Sequence, residues 1–192
     1  MKNDFFYKSS DGITNIHAIK WDVENPRAVI QIAHGVTEYI DRYDEFAKFL
    51  NNKGFVVIGN DHIGHGKSID KSKGSMYFGS EGSWDYAAED LYLLYSDVKK
   101  EYESIPYFIL GFSLGSFLVR TLLIKHPDVS DGAILMGTGQ TSWLNIKLGL
   151  MMANSEVKKH GDNAFTDKID DLTFGTYNKK FKPNRTKLDW LC

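Results

Sequence analysis

Gly111-Phe112-Ser113-Leu114-Gly115 is a G-x-S-x-G pentapeptide, a spacing suited to nucleophilic serine chemistry. A serine on a sharp strand-to-helix turn sits on strained backbone, with its hydroxyl pushed out at the top of a sheet. Glycines two residues to either side let neighbouring backbone pack close. The N–H of the next residue, Leu114, then points at the oxyanion that develops on attack, near a helix N-terminus. A second donor is needed from another strand end. His34-Gly35-Val36 follows an earlier apolar run and offers the Val36 N–H, with Gly35 permitting the turn. The pentapeptide alone is a weak signal. Its place between a buried strand and a helix favours a nucleophile over a solvent-facing serine in a glycine-rich turn.

Other residues invite other chemistry. His34 could act as a general base, although a packed, hydrogen-bonded loop histidine is the plainer reading. Asp61-His62-Ile63-Gly64-His65-Gly66-Lys67-Ser68 sets two histidines and an aspartate close enough to ligate a metal. No further His/Asp cluster with ligand spacing accompanies them, so no metal is expected. The string His62-Ile63-Gly64-His65 also occurs as a nucleotide-binding signature of class I aminoacyl-tRNA synthetases. There it follows the first strand and has a distant lysine-rich partner loop, whereas Lys71-Ser72-Lys73 lies too near. A tight, hydrogen-bonded loop beside the active site is the simplest account. Trp143, Leu144, Leu148, Leu150, Met151 and Met152 form an adaptable apolar surface. It suits either packing or an acyl-chain groove, and Trp143, Leu148, Met151 and Met152 are the candidate substrate contacts.

These residues require elements to position them. Phe5–Lys8 and Ile13–Trp21 read as strands around Ser10-Asp11-Gly12. Ala28–Ala33 and Phe55–Gly59 are near-continuous apolar runs, as strands buried on both faces should be. Between them a helix is expected from Asp41 to Lys53, with Tyr43, Phe46, Ala47 and Leu50 on one face, Asp41 capping its start and Gly54 its end. A loop runs from Asp61 to Gly82, and Ser83 opens a helix to Tyr102. Its apolar stripe is Trp84, Ala88, Leu91, Tyr95, Val98 and Tyr102. Tyr107–Leu110 is the strand before the serine turn, a helix follows to His126, where Pro127 stops it, and Ala133–Met136 is one more buried strand. The alternation implies an α/β fold with a mainly parallel sheet and helices on both faces. After Thr138 the rhythm stops. Trp143–Val157 reads as an amphipathic helix and Asn163–Cys192 as polar and aromatic without period. Residues 1–138 are therefore taken as a core and 139–192 as an insertion on it.

Composition bounds the alternatives. The 192 residues carry 23 basic and 25 acidic side chains, a net charge of -2, with no basic block for nucleic acid or a polybasic membrane anchor. The first residues lack the apolar run of a signal peptide, no stretch is long and apolar enough to span a bilayer, and the single cysteine, Cys192, excludes a disulfide framework. A cytoplasmic location is the expectation.

The order of motifs, His34-Gly35-Val36-Thr37-Glu38, Asp41-Arg42-Tyr43, Gly54-Phe55, Asp61 through Ser68 and then the serine pentapeptide, resembles the monoacylglycerol lipase and lysophospholipase branch of the α/β-hydrolases, also called the serine aminopeptidase S33 or hydrolase-4 group. The resemblance implies Ser113 as nucleophile, Val36 and Leu114 as oxyanion hole and residues after Thr138 as a cap over an acyl pocket. Asp189-Trp190-Leu191 looks like the end of that cap. The substrate implied is a small lipid-like ester, such as a monoacylglycerol or lysophospholipid, with no cofactor and with transient membrane-surface contact through the cap. A peptidase releasing N-terminal residues is the alternative within the family, and a non-catalytic remnant of the fold the alternative outside it. Hydrolases of this fold run Ser, Asp, His in chain order. Asp128 and Asp131 come too early, and His126 and His160 lie in a helix end and the cap. The triad Asp and His are expected beyond Cys192 with the last strands and helices, so the chain as it stands is expected to be inactive.

Overall fold

The computed structural model describes residues 1–74, 76–79, 82–161, 166, 168, 171, 175–181, 186 and 189. Two compact units emerge, Met1–Gly139 and Gln140–Cys192. The first holds six strands, β1 (Lys2–Lys8), β2 (Asn15–Trp21), β3 (Ala28–Ala33), β4 (Phe55–Asn60), β5 (Tyr107–Phe112) and β6 (Gly132–Met136), and three helices, α1 (Asp44–Asn51), α2 (Ser83–Glu101) and α3 (Leu114–Lys125). The second holds α4 (Trp143–His160). Trp190, Leu191 and Cys192, with most of residues 163–192, lie outside the described residues.

The sheet order is β1-β2-β4-β3-β5-β6. β1–β2 and β2–β4 pair antiparallel, and β4, β3, β5 and β6 are mutually parallel. Consecutive parallel strands need crossovers, which the helices supply. On one face α2 and α3 pack Leu91, Leu94, Val98, Leu118 and Leu122 against Val29, Val56, Ile58 and Ile109. On the other, α1 packs Ala47 and Leu50 against Ile30, Ile32, Val57 and Leu110. β3 is buried along its whole length. Its one polar side chain, Gln31, donates to Leu91 O at 3.0 Å and accepts from Tyr107 Oη at 2.7 Å, which removes the cost of burying an amide.

Five expectations need correction. The helix after β3 starts later: Ile40–Tyr43 is a 3₁₀ turn and α1 begins at Asp44. Asp41 does not cap it, because its carboxylate pairs with Lys2 from the start of β1. The inward face of α1 is narrower, since Phe46 is exposed and only Ala47 and Leu50 are buried. On α2 the stripe rotates to Ala87, Ala88, Leu91, Leu94 and Val98, and Trp84 swings outward to donate to Thr121 Oγ1. β6 is not a buried strand: Ile134, Leu135 and Met136 are 37–48% exposed. Among the described residues β6 pairs with β5 alone and ends the sheet.

Candidate active site

The three parallel strands β3, β5 and β6 end side by side. Ala33 lies opposite Gly111 and Phe112 opposite Met136 in the strand register, so the segments that follow meet at one edge of the sheet. Ser113 is the joint between β5 and α3. Its φ is 51° and ψ −116°, a combination that a side chain with a Cβ adopts only under constraint. The constraint is visible. The Ser113 N–H donates to Met136 O at 2.9 Å, and its carbonyl accepts from the Ser116 N–H at 2.9 Å and from Ser116 Oγ at 2.6 Å. Ser113 Oγ has no hydrogen-bond partner among the described residues and is half-exposed.

Gly115 shows why the turn needs glycine. A Cβ there would lie 2.0 Å from Ala33 O and 2.7 Å from His34 O. The first turn of α3 is thus seated on the backbone that leaves β3, and this contact brings the Ser113 turn and the His34-Gly35-Val36 loop together. Gly35 closes the same seam, its Cβ position 3.2 Å from the Phe112 ring. Val36 and Leu114 are half-buried. Neither of their N–H groups finds an acceptor among the described residues.

The loop carrying Val36 is tied at each peptide. Glu38 accepts from the Gly35 N–H at 2.8 Å and from Tyr43 Oη at 2.9 Å. Gly35 O accepts from the Glu38 N–H at 3.2 Å and faces His34 Nδ1 at 2.8 Å. His65 Nε2 reaches Val36 O at 2.6 Å. His34, His62 and His65 form a buried cluster, with the His34 and His62 ring centroids 4.0 Å apart. Burial holds the His34 imidazole far below the usual histidine range, and the neighbouring His62 and His65 rings add to the effect. Burial, helped by His65, lowers His62 to about 3. Both rings are therefore neutral near pH 7.

The loop after β4, which invited the metal reading, is held another way. The buried Asp61 carboxylate accepts from the Ile40 N–H at 2.7 Å and the Lys67 N–H at 2.8 Å, and faces His17 Nδ1 at 2.7 Å. Its own carbonyl accepts from Ser68 Oγ, which in turn accepts from the His17 N–H. Gly66, at φ +48°, leaves no room for a side chain: its Cβ position is 2.2 Å from Asp61 Oδ2. Asp61 thus ties β2, the 3₁₀ turn and its own loop together. His62 Nε2 donates to His34 O instead of turning toward Asp61. Among the described residues no group of three or more His, Cys, Asp or Glu side chains could hold a metal ion. Sequence reasoning missed this hub because its partners are far apart in the chain.

Trp143, Leu148, Met151 and Met152 all lie on α4 and are 71%, 50%, 61% and 40% exposed. A mainly apolar hollow of about 320 Å³ beside Phe112 is lined by Glu38, Arg42, Tyr43, Phe46, Leu110, Phe112 and Met136. A larger cleft of about 650 Å³ lies elsewhere, between the β1–β2 turn and the loop after β4, and none of Ser113, Val36 or Leu114 lines it. No helix among the described residues is long and apolar enough to cross a membrane.

Comparison with known proteins agrees with this architecture. Residues 24–173 match the family described as serine aminopeptidase, S33 (Hydrolase_4). Over 111 residues, 58% of the chain, the sequence is 32% identical to a monoglyceride lipase of Rattus norvegicus, covering 35% of that protein. It is likewise 32% identical over 111 residues to a monoglyceride lipase homolog of Monkeypox virus, covering 38% of it. The matched segment thus spans little more than a third of the length of these curated relatives. Among solved structures, a thermostable carboxyl esterase from Bacillus coagulans is similar with a TM-score of 0.83 and 29% identity, over 98% of this chain and 61% of that one. A family match that runs through both the His34–Val36 loop and the Ser113 turn, on a sheet of this order, settles the kinship: the chain belongs to the serine aminopeptidase S33 (Hydrolase_4) family and is a monoacylglycerol lipase-like α/β-hydrolase.

Proposed function

We propose that this protein is built to hydrolyse carboxylic esters of lipid-like substrates, monoacylglycerols or lysophospholipids, through Ser113. The observation that carries the reading is the Ser113 backbone, φ 51° and ψ −116° at the β5–α3 joint. The hydroxyl there and the Leu114 and Val36 N–H groups have no hydrogen-bond partner among the described residues, and the seating of Gly115 on Ala33 and His34 supports the Val36 loop as the source of the second donor. Ser113 Oγ attacks the ester carbonyl and passes its proton to a base. The carbonyl oxygen takes up the negative charge, stabilised by the two N–H groups. The tetrahedral species collapses, expelling the alcohol, and water releases the acid from the acyl-enzyme. Each of the six histidines is engaged elsewhere: His17 with Asp61 and Asp4, His34 with Gly35 and His62, His62 with His34, His65 with Val36, His126 with Glu89 and His160 with Glu156. On this reading the base and its orienting carboxylate lie outside the described residues.

The exposed Trp143, Leu148, Met151 and Met152 of α4 support a cap, residues 139–192, that offers an acyl groove and touches a lipid surface. The likeness to a monoglyceride lipase and a monoglyceride lipase homolog supports the lipid ester over a peptide substrate. The test is hydrolysis of a long-chain monoacylglycerol, a lysophospholipid and an aminoacyl anilide by the protein that carries the base and its orienting carboxylate and by its Ser113→Ala variant; residues 1–192 alone are expected to show little or no turnover. Monoacylglycerol turnover lost in the variant is expected. Turnover of the anilide alone, or ester turnover untouched by Ser113→Ala, would overturn the proposal.

A further inference from the structure

We infer that His34 is a positioning residue that aims the Val36 N–H, acting as the Nδ1–H tautomer. The inference deepens the proposed function and rests on it for its catalytic meaning. The His62 backbone N–H donates to His34 Nε2 at 3.1 Å. A backbone N–H can only donate, so Nε2 carries the lone pair and, in a neutral ring, Nδ1 carries the proton. That proton has one acceptor, Gly35 O at 2.8 Å, which also accepts from the Glu38 N–H at 3.2 Å. Gly35 O and the Val36 N–H belong to the same peptide unit. In a planar trans peptide the C=O and N–H point in opposite directions. Two donors holding Gly35 O on one side therefore turn the Val36 N–H to the other, where it meets no protein acceptor among the described residues.

The arrangement explains a full set of otherwise separate facts. His34 is fully buried, so its imidazole stays neutral and keeps a lone pair for the His62 N–H. The His62 ring in turn donates Nε2–H to His34 O at 3.1 Å, and that same carbonyl abuts the Gly115 position of α3. One residue thus couples the loop after β4, the loop after β3 and the Ser113 turn. A histidine so held has no free nitrogen with which to take a proton from serine, which removes it as a general base. Its role is to keep the peptide from flipping, so that the donor is already aimed when charge develops.

The experiment uses the full chain labelled with ¹⁵N, with long-range proton–nitrogen spectra of the histidine rings at pH 7.5 and the His34 signals identified by their absence in His34→Asn. A protonated Nδ1 and a bare Nε2 are expected. An Nε2–H tautomer or a doubly protonated ring overturns the inference, whatever the enzyme does. The kinetic arm, run in the protein that also carries the base and its orienting carboxylate, compares His34→Asn, which keeps an N–H donor near the Nδ1 position, with His34→Leu, which has none. The leucine variant should lose about 100-fold or more in kcat, the scale of one oxyanion donor, with KM within roughly twofold. Affinity for a trifluoromethyl ketone analogue should fall by the same factor as kcat, and asparagine should recover much of both. Equal losses in the two variants, or a loss confined to KM, would overturn the positioning role. If His34→Leu does not fold, wild type against His34→Asn and the ring spectra still decide. Absence of any Ser113-dependent turnover in the wild-type protein that carries the base and its carboxylate would instead refute the proposed function and leave the tautomer result standing.

Discussion

Replacing Ser113 by alanine and by glycine separates the chemistry of the hydroxyl from the strain in the backbone that carries it. Ser113 Oγ has no hydrogen-bond partner among the described residues, so Ser113→Ala leaves no polar group stranded and should shift stability by no more than about 0.5 kcal/mol. Alanine keeps the Cβ and therefore the penalty of φ 51°, ψ −116°, about 1–3 kcal/mol for a non-glycine residue in a sparsely populated region. Glycine removes that penalty but adds about 0.5–1 kcal/mol of unfolded-state entropy. The difference favours glycine over alanine by roughly 0.5–2 kcal/mol, which is about 1–8 °C in melting temperature for a chain of this size. Urea titration and thermal melts followed by circular dichroism measure both variants, and the ester assay should find both inactive. A glycine variant that melts at or below the alanine variant would refute the claim that the β5–α3 joint is strained, and with it the argument that this turn is shaped to present a nucleophile.

Three further outcomes follow from the same geometry. Gly115→Ala should cost about 3 kcal/mol or more by overpacking, since its Cβ would lie 2.0 Å from Ala33 O and 2.5 Å from the Ala33 carbonyl carbon, neither of which is a side chain that can turn away; an unchanged urea midpoint would contradict the close seating of α3 on β3. Asp61→Ala should cost about 3–5 kcal/mol, the scale of breaking a buried charged network, because the Ile40 and Lys67 N–H groups and the His17 ring lose their common acceptor; limited proteolysis should open the Asp61–Gly82 loop first, and a midpoint within 1 kcal/mol of wild type would count against the hub. Stability should fall on mild acidification, because His34 and His62 are held neutral in the fold by burial, His62 down to about 3, whereas in the unfolded chain they protonate near pH 6.5. Their folded values lie below the unfolded one, so below pH 6.5 the unfolded chain binds more protons and is favoured. Between pH 7.5 and 6.0 the two rings should cost about 1.5 kcal/mol, with Asp90, raised to about 6 by burial against its hydrogen bonds, returning less than half of that. A urea midpoint constant over this range would show the two histidines are not neutral in the fold.

How much of this was legible in the residues alone depends on the range of the interactions involved. β3, β4 and β5 could be read because a strand covered on both faces has no polar side to alternate with, and the runs Ala28–Ala33, Phe55–Asn60 and Tyr107–Phe112 show it directly. The Ser113 turn was equally legible, since Gly111 serves a contact made by the turn's own first helical residues. The end of α1 and the start of α2 at Ser83 are likewise set by neighbours in the chain. What failed was of another kind. Asp41 has the residue type of a cap, yet the side chain it meets is Lys2, 39 residues away, and local capping yields to an ion pair that only the sheet brings near. The apolar pattern of β6 promised burial, but burial belongs to whatever covers a strand and not to the strand. His34 as a packed, hydrogen-bonded loop residue and the tight loop around Asp61 were legible in kind, but their partners, and the burial of Gln31, were not, because a carboxylate, an amide and an imidazole can each be satisfied by many groups. Sequence alone determined where the backbone could be extended, where it had to turn, and which hydroxyl sat on the turn. The tertiary structure decided which buried polar group satisfies which, because a hydrogen bond needs its two partners within about 3 Å, and in this protein the pairs Asp61–Ile40, His34–His62 and Gln31–Tyr107 are separated by 21, 28 and 76 residues of chain.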